Sequence, residues 1–73
     1  MQGMLWLDDD KTRSLTEKVQ RAVAYMVEKY GRKPSTIFTQ AVQASGTSVD
    51  GIPVEPMANV LPSHLWLVFG EGA

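Results

Sequence analysis

The chain has 73 residues, with seven Lys or Arg against eight Asp or Glu, a formal net charge of −1 and no Cys. That length leads us to expect one domain over residues 1–73, a size that buries only about 60% of its unfolded surface. The balanced charge excludes the basic footprint of a nucleic-acid binder, and the lack of Cys excludes disulfides and thiolate zinc sites.

A lone histidine, His64, argues against multi-histidine metal sites. No apolar run approaches the roughly 18 residues needed to span a membrane. Met1 to Leu7 runs into three aspartates without the basic start of a signal peptide. The expectation is a cytoplasmic protein without nucleic-acid or membrane partners. Small domains compensate for a marginal core by adding a metal, a disulfide or a partner chain, so a homo-oligomer or a protein partner is expected.

Met4 to Leu7 is a short apolar run stopped by Asp8, Asp9 and Asp10, which reads as a buried strand. Ser14 and Glu17 then have the spacing of a capping box. Leu15, Val19, Ala22, Val23, Met26, Val27 and Tyr30 trace one helical face, Gly31 supplies a left-handed cap and Pro34 blocks a restart. These signals predict a helix over about 14–30. Thr36 to Gln40 is β-branched and aromatic and reads as a second strand, parallel to the first in a βαβ unit.

Gln43 to Gly51 is polar and reads as a loop. Ile52 to Pro56 reads as a third strand, placed at an edge by Pro53 and Pro56. His64 to Phe69 is almost continuously apolar and reads as a central strand. The predicted fold class is α+β: a β-α-β-β-β chain with a small mixed four-stranded sheet and one long amphipathic helix on one face. One helix cannot cover both faces of such a sheet, so Trp66 or its neighbours Leu65 and Leu67 must point away from it. These three, with Tyr25 just off the helical stripe, are the candidate interface residues.

The chemistry-bearing candidates are few. Asp8 and Asp10, in an Asp-x-Asp-x-Thr pattern after an apolar strand, resemble the first motif of haloacid-dehalogenase-like phosphotransferases. That resemblance implies Asp8 as nucleophile and Asp10 as acid/base beside Mg²⁺. The family also uses a separate lysine and a later acidic pair, whereas Asp50 stands alone here, so the run reads as an acidic turn before a helix. Ser48, Asp50 and His64 carry no nucleophile-elbow pattern. No cofactor, catalytic residue or enzyme activity is expected.

Two further segments carry a resemblance. Ala24 to Pro34 closes a helix and feeds a strand through a proline; Gly51-Ile52-Pro53-Val54 is followed by Val60-Leu61-Pro62 and an apolar strand. Over about residues 15–69 this resembles the A-domain of tailed-phage-type major capsid proteins and encapsulins, as a stand-alone, truncated form. The long spine helix, extended loop and N-terminal arm of that family have no counterpart here. The resemblance implies a non-catalytic structural module, self-associating or accompanying a partner. The alternatives are a small Mg²⁺- or phosphate-binding protein using Asp8 and Asp10, or a regulatory inhibitor-type protein.

Overall fold

In the computed structural model, residues 3–40 and 47–70 are described. They form β1 (Gly3–Leu7), α1 (Leu15–Tyr30), β2 (Pro34–Thr39), β3 (Thr47–Val49), β4 (Ile52–Pro56) and β5 (His64–Phe69). The helix starts and stops where its capping residues dictate. Ser14 accepts from the Glu17 N–H at 3.2 Å, and Gly31, at φ 74°, donates its N–H to the Val27 carbonyl.

The sheet has five strands in the order β1-β5-β2-β4-β3, rather than the four expected. The added strand is β3, which lies in the stretch expected to be loop; residues 43–46 of that stretch fall outside the described residues. It forms because Asp50 and Gly51 both take positive φ, 52° and 81°. This is the two-residue hairpin turn whose twist matches paired strands, and it folds Thr47–Val49 back onto β4.

The order of strands also departs from expectation. β1 and β2 run in the same direction, but β5 lies between them, antiparallel to both. The most continuously apolar strand, β5, is interior but second from the β1 edge, with both of its edges hydrogen-bonded, and β2 takes the centre. β4 is interior rather than an edge, parallel to β2 and antiparallel to β3. Its prolines fit for a geometric reason. Pro53 sits opposite Ser48, one pair beyond the turn-closing pair Val49–Ile52, where an antiparallel ladder asks for no N–H toward β3. Beyond Pro56, the Met57 N–H donates to the Thr39 carbonyl at 2.8 Å.

Alternation along each strand sends one set of side chains under α1. Val19, Ala22 and Met26 of the helix pack with Ile37, Val49, Ile52, Val54, Leu65 and Leu67 in one buried cluster. Fully burying an aliphatic side chain of this kind contributes about 1.5–3 kcal/mol. Met4, Trp6, Leu15, Val23 and Phe69 close its margins. β1 was expected to be buried; instead it is an edge strand, with Trp6 half-buried toward the helix and Leu5 and Leu7 exposed on the opposite face.

Candidate functional site

The face of the sheet away from α1 is built from the other parity of each strand. Leu5 pairs with Trp66, and Trp66 pairs in turn with Phe38, which faces Glu55. Val68 lies between Gly3 and Thr36. Glu55 is the one formal charge among the described strand residues on this face, whereas the outer side of α1 carries Glu17, Arg21, Glu28 and Lys29. Leu5 and Leu7 are 57% and 59% exposed, against 2% for Leu65 and 0% for Leu67.

Of the candidate interface residues, Leu65 and Leu67 are therefore core residues beneath the helix, with no surface to offer. Trp66, of the opposite parity, is half-buried on the open face. Its indole lies across the start of β1. A Cβ placed on Gly3 would stand 2.9 Å from Trp66 Cζ2 and 2.5 Å from the Leu67 carbonyl oxygen. Gly3 is thus the position whose missing side chain leaves room for the ring beside the edge strand. Tyr25 reaches the same edge from the helix side, with its ring 5.1 Å from that of Trp6.

The connection from β4 to β5 walls one side of the open face. Leu5, His64 and Trp66 from the sheet and Met57, Val60 and Leu61 from that connection line a groove of about 310 Å³. Leu61 is 63% exposed at its rim, and Val60 is buried behind it. His64 Nδ1 lies 2.8 Å from the Pro62 carbonyl oxygen, which ties the imidazole to its own turn. Ser63, which precedes it, takes φ 65°, an unusual backbone state for a residue with a side chain. Its carbonyl accepts from the Asp8 N–H at 2.9 Å, which joins this turn to the end of β1.

The acidic run is a built turn. Asp8 has a side chain only 4% exposed. Its two carboxylate oxygens accept from Arg13 Nη1 at 3.1 and 3.2 Å, and Oδ1 also accepts from the Asp10 N–H. Asp10 Oδ1 accepts from the Thr12 hydroxyl at 2.6 Å and the Thr12 N–H at 2.8 Å. Those Thr12 bonds, the hydroxyl first, hold the Asp10 carboxyl below its ordinary value. Both aspartates are thus engaged by protein donors that carry the chain from β1 into α1. Among the described residues, no three His, Asp or Glu side chains gather as a metal-binding group.

Ser48 and His64 are not brought together either. β3 and β5 are separated by β2 and β4, about 14 Å at the usual strand spacing. At the other end of the helix, Lys29 donates to Tyr25 Oη at 3.4 Å, and its ammonium is held above the ordinary 10.5 by that bond. Arg32 stacks over Phe69 at 4.4 Å from the ring centroid. No described helix is long and apolar enough to cross a membrane.

No family model matches the chain, and no curated protein or solved structure matches it.

Proposed function

We propose that this chain is a non-catalytic interaction module that self-associates through the β1 side of its sheet. The supporting observation is the apolar band of Leu5, Leu7 and Trp66 on the open face, next to the groove that Leu61 rims. Single exposed leucines are ordinary on a soluble surface; a contiguous band on a face whose described strand residues carry one formal charge is the composition of a contact surface. Tyr25 and Trp6 flank the same edge from the helix side, so both flanks of β1 are apolar. The likeness to a capsid-type A-domain, carried by residues 15–69, agrees with this reading, because modules of that kind act by contact.

The reading is tested by thermal unfolding over about two decades of concentration, since association of the folded state raises the midpoint with concentration. The midpoint should rise for the native chain and become independent of concentration in Leu7→Lys. A native midpoint that does not move with concentration rejects self-association.

A further inference from the structure

We infer that β1 pairs antiparallel with β1 of a second copy, Leu5 opposite Leu5, so that two sheets join into one of ten strands. The inference rests on the self-association reading and adds the partner, the element and the register.

The sheet's two edges are unlike. β3 ends the sheet as a three-residue strand with exposed, polar Thr47 and Ser48, a blunted edge. β1 ends it as five residues, Gly-Met-Leu-Trp-Leu, with no charge or proline and a continuous one-to-one register to β5. Among the described residues nothing pairs its outer edge. Such a strand presents a row of backbone donors and acceptors that matches itself.

Charge selects the direction. Parallel pairing would set Asp8, Asp9 and Asp10 of one copy beside those of the other. Antiparallel pairing about Leu5 puts the two copies of Asp8 about 20 Å apart along the ladder, beyond the screening length at physiological salt.

Shape selects the register. With Leu5 opposite Leu5, Gly3 of one copy faces Leu7 of the other, and Met4 faces Trp6. Gly3 is the position whose missing side chain is filled by the Trp66 ring. Leu7, 59% exposed in the single chain, then lies against the ring of Trp66 in the second copy. Leu5, Leu7 and Trp66 of both copies form one apolar seam across the two-fold axis.

The chain has no cysteine, so a single introduced thiol reports its own neighbour. Cβ atoms directly opposite in such a pair are about 4.5–5.5 Å apart, close enough for a disulfide after a small adjustment. Leu5→Cys should oxidise to a covalent dimer. Phe38→Cys and Glu55→Cys, on the open face but two and three strands inboard, should not. Leu7→Asp, in an otherwise native chain, should raise the dimer dissociation constant about a hundredfold, the loss of one buried leucine from each copy.

A dimer by mass in which Leu5→Cys stays uncross-linked overturns the edge pairing and leaves self-association standing; cross-linking at Phe38→Cys or Glu55→Cys instead would place the contact on the stacked faces. Equal cross-linking at all three positions marks random collision and also overturns it. A dissociation constant unchanged by Leu7→Asp overturns the register. A chain that is monomeric by mass overturns both this pairing and the reading beneath it.

Discussion

Gly3→Ala tests how tightly the edge strand is fitted. An added Cβ would stand 2.5 Å from the Leu67 carbonyl oxygen and 2.9 Å from Trp66 Cζ2, the first a backbone atom of a strand paired on both edges. Reaching an ordinary contact of about 3.4 Å requires β1 and β5 to separate by nearly an ångström or the Trp66 ring to leave its site. Overpacking of this kind costs about 1–3 kcal/mol. Alanine recovers about 0.5–1 kcal/mol of that by restricting the unfolded chain. Because the nearest obstacle is backbone, the cost falls at the upper end of that range and the net loss is about 2 kcal/mol, which for a domain of this size lowers the thermal midpoint by about 8–16 °C. Thermal unfolding by far-UV circular dichroism, at one fixed concentration, reads this directly. A midpoint equal to or above that of the native chain would refute the claim that Trp66 packs against a side-chain-free position.

Further outcomes follow from the turns. Asp8→Ala removes the acceptor of both Arg13 bonds and of the Asp10 N–H, and should cost about 1–3 kcal/mol in urea unfolding. Asp8→Asn, which keeps an acceptor for the Asp10 N–H, should lose less. Gly51→Ala forces a side chain into φ 81° and should cost about 1–2 kcal/mol by the same assay, although its added Cβ would meet nothing within 4 Å. Asp10 has a folded-state value depressed below its ordinary 3.8, so the stability it contributes is present above 3.8 and is lost as pH falls below it. The urea midpoint of Asp10→Asn, below the native one at pH 7, should therefore converge on it as the pH falls below 3.8; a constant gap across that range would refute the role assigned to Thr12.

Local chemistry made the helix legible from sequence. Ser14, Glu17 and Gly31 are short-range signals, and the structure uses Ser14 and Gly31 as caps in the positions read from sequence. The run from His64 to Phe69 likewise marked an interior strand, although it lies second from the β1 edge and only one of its faces is under the helix. The strand order was harder to read, because the insertion of β5 between β1 and β2 is decided by pairing across most of the chain. β3 was hidden by its shortness and by polar Thr47 and Ser48, although Asp50-Gly51 is itself a hairpin signal. The same limit applied to the site. In a strand as apolar as β5, parity separates Trp66 from Leu65 and Leu67 but does not say which set lies under the helix. The neighbours decide that: Trp66 lies between Leu5 and Phe38, while Leu65 and Leu67 lie between Trp6 or Met4 and Thr39 or Ile37.

Sedimentation velocity across a dilution series tests the central claim most directly. The single chain has a mass of 8.1 kDa. The account predicts a species of twice that mass that dissociates on dilution and is weakened by Leu7→Asp. A single boundary at the mass of one chain, at every concentration, would contradict it.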